Sequence, residues 1–181
     1  MTWILTHTGK RPNLIDPQPA EICLEDIAHH LSRIGRFTGA GDLFLSVAQH
    51  SVHVSLICPA EFARWGLLHD ASEAYLGDVS SPLKVALREF GRVSEYDYLQ
   101  SKWEVAISKM FGVPRVSVKQ WDVQSALTER RDNGPYGADE LDWFGASRYP
   151  GLVAHPDPYV PWTPARAKAM FLQRAEEVRI K

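Results

Sequence analysis

Proline and glycine cut this chain into runs too long for strands, in which apolar residues recur at helical intervals. Pro59 stands just before residues 60–76 and Gly77 just after them, where proline starts and glycine stops a helix. Pro114 separates a helical run at 94–111, with Tyr98, Trp103, Ile107 and Met110 as core contacts, from another at 116–131. Thr163 followed by Pro164 gives the cap and first turn of a last helix reaching about residue 178. Nearer the start, Asp16-Pro17-Gln18-Pro19 precedes a helix on which Ile22, Ile27, Leu31 and Ile34 share a face. Residues 45–58 read as a further helix with Val47, Val54 and Ile57 towards one side, and 83–90 as a short one after a Ser80-Ser81-Pro82 loop. Residues 3–7 and 11–15, flanking Thr8-Gly9-Lys10, read as a small hairpin. Gly35, Gly39 and Gly41 mark a loop at 35–42, and residues 133–161, rich in Gly, Pro, Asp and aromatics, run over the surface. No repeat or linker interrupts this pattern, so the expectation is one all-α domain over residues 1–181.

A chain of 181 residues is long enough to enclose a full core. Its net charge of -2 offers no general attraction to nucleic acid or to an anionic membrane. Cys23 and Cys58 are too few for a disulfide framework or a thiolate metal site, and read as free thiols of a reducing compartment. With no apolar run of membrane-spanning length and no signal-peptide pattern, the expected location is the cytoplasm.

Chemistry enters with His69-Asp70, which directly follow the apolar Leu67-Leu68. A carboxylate that leaves water must be paired, hydrogen-bonded or bound to a metal. His50 and Asp122 lie on other helical runs that can converge on this pair. Two imidazoles and two carboxylates would neutralise a divalent cation and leave positions open for water or a phosphate oxygen. Such mixed ligation suits zinc, manganese, iron or cobalt better than calcium. Glu73 lies four residues after His69 and three after Asp70, neighbouring positions on a helix face. On spacing alone, ordinary hydrogen-bonded core and surface residues remain the alternative.

Ala48-Gln49-His50-Ser51, then Leu68-His69-Asp70-Ala71-Ser72-Glu73-Ala74-Tyr75-Leu76-Gly77-Asp78, then Asp122, resemble the HD-domain phosphohydrolases. The likeness is greatest to the bacterial 5′-deoxynucleotidase branch and its phage relatives. Glu25-Asp26-Ile27-Ala28-His29-His30-Leu31-Ser32-Arg33, followed by Arg36-Phe37, also resembles the start of that branch, and the likeness runs over roughly residues 6–131. It implies an HD-domain helical bundle, with His50, His69, Asp70 and Asp122 on a divalent metal: zinc, cobalt, manganese or magnesium. Glu73 would take a proton from the attacking water or orient it, and Asp78 would be a second acid/base or orienting group. Arg36 and Lys84 would bind phosphate, with Lys119 a weaker candidate. Phe37 and Pro82 would line the sugar and base, with Ile34 nearby.

The cellular enzymes carry tryptophan where Phe37 stands, so the wall against the sugar is smaller here. The resemblance implies a small deoxynucleotide as substrate and a homo-oligomer, dimer or hexamer, with no nucleic-acid or membrane partner. The implied reaction is dATP triphosphohydrolysis, as in compact phage relatives. A deoxynucleoside 5′-monophosphatase is the alternative, and a non-catalytic nucleotide-binding regulator a third reading. His53 reads as packed behind the ligands, His29 and His30 as helix residues, and His7 and His155 as without a role. Trp121 would pack Asp122 in place, and residues 143–162 would form an interface or cover the pocket.

Overall fold

A computed structural model describes residues 2–91, 93–134 and 146–181. Among these there is no strand, and the architecture is all-helical. Its axis is α2 (Val47–Ile57), eight of whose eleven residues are buried, so it meets protein on nearly every side. Ser46 caps it, the side chain accepting from the Gln49 amide at 3.2 Å. Around α2 lie α1 (Leu24–Leu31), α3 (Ala63–Leu68), α7 (Lys119–Asn133) and α8 (Pro164–Glu177). On α8, Ala167, Phe171 and Ala175 recur every fourth residue and are fully buried, while Arg174 donates to the Ser55 hydroxyl at 3.0 Å and carbonyl at 2.9 Å. Thr163 caps this helix and Pro164 starts it, as the sequence predicts.

The run at 60–76 is not one helix. It divides into α3 and α4 (Glu73–Leu76), and the turn between them holds His69 and Asp70. There the amides of Ala71 and Glu73 bond three residues back, to Leu68 at 2.9 Å and Asp70 at 2.9 Å, the tighter 3-10 pattern. Gly66 sets how closely α3 approaches α2: a Cβ there would lie 3.0 Å from Cys58 Sγ and 3.1 Å from Ser55 Cα. That close crossing brings the His50 and His69 rings to 5.3 Å between centroids.

Other expectations also change. The first helix starts only at Leu24, so Ile22 and Ile34 flank it, and the helix after Pro114 starts at Lys119. The hairpin arms run antiparallel but form one isolated bridge, Trp3–Asn13, rather than strands, and are pinned to α1 through Thr8 and Asp26. Ser80 caps α5 (Ser81–Glu89), which places Ser81 and Pro82 in its first turn rather than in a loop. On α6 (Val93–Phe111), Trp103 and Ile107 are fully buried and Trp103 stacks on Tyr75. Tyr98 and Met110 are exposed instead, because only one stripe of this helix meets the core. Of residues 143–162, those from 143 to 145 lie outside the described residues. Tyr149, Leu152 and Ala154 pack on Val123 and Leu127 of α7. No helix among the described residues is long and apolar enough to cross a membrane.

Candidate metal centre

Three segments far apart in sequence converge beside α2. His50, on the second turn of α2, is fully buried. Its Nδ1 lies 2.6 Å from Glu129 Oε1, and an ionised carboxylate only accepts, so Nδ1 carries the hydrogen. His69 Nδ1 lies 2.8 Å from the Gly66 carbonyl, which fixes the same tautomer there. Both Nε2 atoms therefore face the space between the helices, and both are buried.

What they face is carboxylate. Asp122 Oδ1 approaches His50 Nε2 at 3.1 Å, while Asp70 Oδ2 is 3.2 Å from His69 Nε2 and 3.7 Å from His50 Nε2. Lone pairs opposed to carboxylate oxygens repel unless a cation or proton lies among them. His50, His69 and Asp122 each offer one ligand atom, all within 4.8 Å of one another, and this group can hold a metal ion. Orientation of each ring by an acceptor on its far nitrogen is the usual arrangement around a metal-binding histidine.

The electrostatics agree. Burial and nearby Arg36 drive the His50 imidazole down, but Glu129 and Asp122 outweigh both and push it up to about 9. Burial raises Asp70, and the charge and hydrogen bond of His69 overcome this and hold it below the ordinary carboxylate range. Asp122 is likewise lowered, by His50 and Lys119 against its burial. The site thus favours positive charge among fixed negative groups.

Beside it opens a cavity of about 460 Å³, a size suited to a small-molecule ligand. His69, Asp70 and Asp122 line it, and His50 lies behind them. Glu73 and Asp78 line it too, as do Arg36, Phe37, Pro82, Lys84 and Lys119. Every site residue expected from the sequence is thus brought to one place. Gly77, at a positive φ of 78°, turns the chain out of α4 and delivers Asp78. Burial, with Asp70 and Asp78 nearby, raises the Glu73 carboxyl well above its ordinary range. Its Oε2 is buried and has no hydrogen-bond partner among the described residues. Asp78 is raised as well, chiefly by burial.

The cations are arranged differently from simple free side chains. Arg36 Nε donates to Glu129 Oε2 at 3.0 Å, and its guanidinium lies 5.2 Å from the Phe37 ring centroid. Lys119 Nζ sits 2.6 Å from Asp122 Oδ2, so it steadies a ligand carboxylate. Lys84 reaches the neutral Gln100 amide at 3.3 Å. Phe37 and Thr38 adopt positive φ of 56° and 54°, an uncommon conformation for residues with side chains. The cause is local: the Arg36 amide pairs with the Leu45 carbonyl at 2.8 Å, so the chain must reverse tightly between α1 and α2.

Glu129 escaped the sequence reading. It is fully buried and bonded to both His50 and Arg36. A signal did exist, since Asp122, Ser125 and Glu129 fall at i, i+3 and i+7, one face of α7. Gln100, on the cavity wall, was also missed. His53 is packed, with Nδ1 2.8 Å from Ser125 Oγ, and burial takes it down to about 4. His30 Nδ1 bonds the Ala74 carbonyl at 2.6 Å, bracing α4, and His7 stacks on His29. Trp121 packs against Phe62 beside Asp122.

No family model matches the chain. It is 36% identical over 185 residues to the uncharacterized protein YfdR of Escherichia coli (strain K12), across 98% of this chain and 96% of that protein. It is 32% identical over 193 residues to the uncharacterized protein RCAP_rcc00048 of Rhodobacter capsulatus, across 98% of this chain and 90% of that one.

Proposed function

The chain belongs to the same family as YfdR of Escherichia coli, and we propose that it is a metal-dependent deoxynucleotide phosphohydrolase. One observation carries this reading: two buried imidazole Nε2 atoms, each ring oriented by an acceptor on its far nitrogen, meet Asp122 at the edge of a nucleotide-sized cavity. His50, His69 and Asp122 would hold the ion, with Asp70 as a fourth ligand. Zinc, cobalt, manganese and magnesium are the candidate ions. When bound, the ion supplies a low-pKa water and polarises a phosphoryl oxygen.

The chain's own groups account for the rest. Glu73 lines the cavity, and its raised pKa suits a carboxyl that exchanges a proton with the attacking water. Asp78 offers a second carboxyl on the same wall. Arg36, with Nε committed to Glu129, retains its other donors for phosphate oxygens. Lys84 meets a neutral amide, so its charge is left for a ligand phosphate. Phe37 supplies a flat apolar wall for the sugar.

A cavity wall carrying both Arg36 and Lys84 favours a chain of phosphates over a single one, which supports a triphosphate substrate. Deoxyadenosine as the nucleoside, and hence dATP, follows from the phage enzymes that the sequence resembles. The test is product analysis with dATP, dAMP, ATP and dGTP in the presence of Mn²⁺, Co²⁺ or Zn²⁺. The expected result is deoxyadenosine from dATP, with its three phosphates released. Phosphate from dAMP and none from dATP would replace this reading by a monophosphatase. Binding of dATP without any release would make the chain a nucleotide-binding regulator.

A further inference from the structure

We propose that Glu129 is a positioning residue that ties the metal-facing imidazole of His50 to the phosphate-facing guanidinium of Arg36, an assignment that rests on the phosphohydrolase reading above. The carboxylate has no exposed surface, and three donors converge on it. Oε1 accepts from His50 Nδ1 at 2.6 Å and from Ser125 Oγ at 2.9 Å, while Oε2 accepts from Arg36 Nε at 3.0 Å. Ser125 in turn meets His53 Nδ1 at 2.8 Å, so its hydroxyl is fixed from both sides.

Such a group is a poor device for stability alone. A buried ion pair costs desolvation that apolar side chains of the same volume avoid. What the arrangement does provide is direction. With Nδ1 held, the His50 ring cannot rotate, and Nε2 stays on Asp122. With Nε held, the guanidinium is fixed where Arg36 lines the cavity, and its two Nη groups carry the remaining donors. Arg36 arrives from the turn after α1 and His50 from α2, segments joined by the Arg36 amide–Leu45 carbonyl bond, and Glu129 adds a side-chain tie from a third element. One carboxylate from α7 therefore sets the ion-binding edge of the site against its phosphate-binding edge.

Glu129→Gln tests this, because it preserves volume but turns an amide N–H either towards His50 and Ser125 or towards Arg36. Co²⁺ titration followed by visible absorption reads metal affinity without catalysis, and KM for the deoxynucleotide reads the Arg36 side. The expected result is a Co²⁺ dissociation constant about 10–100-fold higher, with altered absorption bands and a raised KM. A purely structural residue would lower Tm and leave the Co²⁺ affinity of the folded variant unchanged, and that outcome overturns the proposal. Weakened Co²⁺ binding with wild-type KM overturns the link to Arg36. Should Glu129→Gln fail to fold, Ser125→Ala removes one of the three donors without altering charge, and a several-fold loss of Co²⁺ affinity is expected. Unchanged affinity there overturns the proposal. Wild-type protein that binds no Co²⁺ refutes the metal centre itself. Wild-type protein that binds Co²⁺ yet hydrolyses nothing refutes the phosphohydrolase reading, and the Co²⁺ data then judge Glu129's hold on His50.

Discussion

Taking metal-free protein from pH 6.5 to 9 should destabilise it, by an amount set largely by His50. Unfolded, this imidazole has its ordinary value of 6.5; folded, the Glu129 and Asp122 carboxylates hold it at about 9. A group whose pKa is higher in the folded state contributes its stability in full below the unfolded value and loses it as pH rises through the folded one. The difference of about 2.5 corresponds to about 3–4 kcal/mol at about 1.4 kcal/mol per pKa unit, of which about 3 kcal/mol is lost between pH 6.5 and 9 because the unfolded and folded groups are half titrated at the two ends. No solvent discount applies, because His50 has no exposed surface. For a domain of this size a kcal/mol moves Tm by about 2–4 °C, so the expected fall is about 6–12 °C.

The window is clear of opposing groups. His29 and His53 are lowered, so their contributions change below 6.5, while the Cys23 and Cys58 thiols are raised above 9. Raised Glu73 and Asp78 carboxyls act with the same sign as His50. Thermal melts in chelator at pH 6.5, 7.5 and 9 measure the slope. His50→Gln should abolish most of it, and saturating Co²⁺, which replaces the proton, should remove or reverse it. A metal-free Tm that stays level or rises over this interval refutes the reasoning.

Asp70→Ala should lower metal content in equilibrium dialysis and abolish turnover; full activity after that change removes Asp70 from the ligand set. Glu73→Gln should leave metal binding intact while kcat falls by about 10²–10⁴-fold, and an unchanged kcat ends its proton-transfer role. Lys84→Ala should raise KM for dATP more than KM for dAMP, since the lysine serves the outer phosphates; an equal effect on both places it nearer the sugar.

The helices were readable where their ends are chemical. Thr163 and Pro164 announce α8, because caps depend on groups within one turn, whereas Ser80, the cap of α5, reads as loop in the sequence. Tyr98 and Met110 misled because apolar spacing marks a face but not whether anything lies opposite it. The turn at His69 was beyond local reasoning for a sharper reason. His69 and Ser72 both have right-handed helical φ and ψ, so nothing at these residues forbids a continuous helix. Only the hydrogen bonds tighten, under the close crossing at Gly66, and the tightening matters. At roughly 120° per residue instead of 100°, successive side chains fan wider, and His69 and Asp70 reach the same space from different sides.

Ligands and their supports also differ in kind. Coordination chemistry admits few residue types, so His50, His69, Asp70 and Asp122 stand out before any fold is known. Glu129 is an ordinary helix residue until Arg36, 93 positions earlier, and His50, 79 positions earlier, close over it. Its partners exist only in the folded chain, and so does the burial that makes them matter. A support of this type is found by asking where each ligand's far nitrogen points.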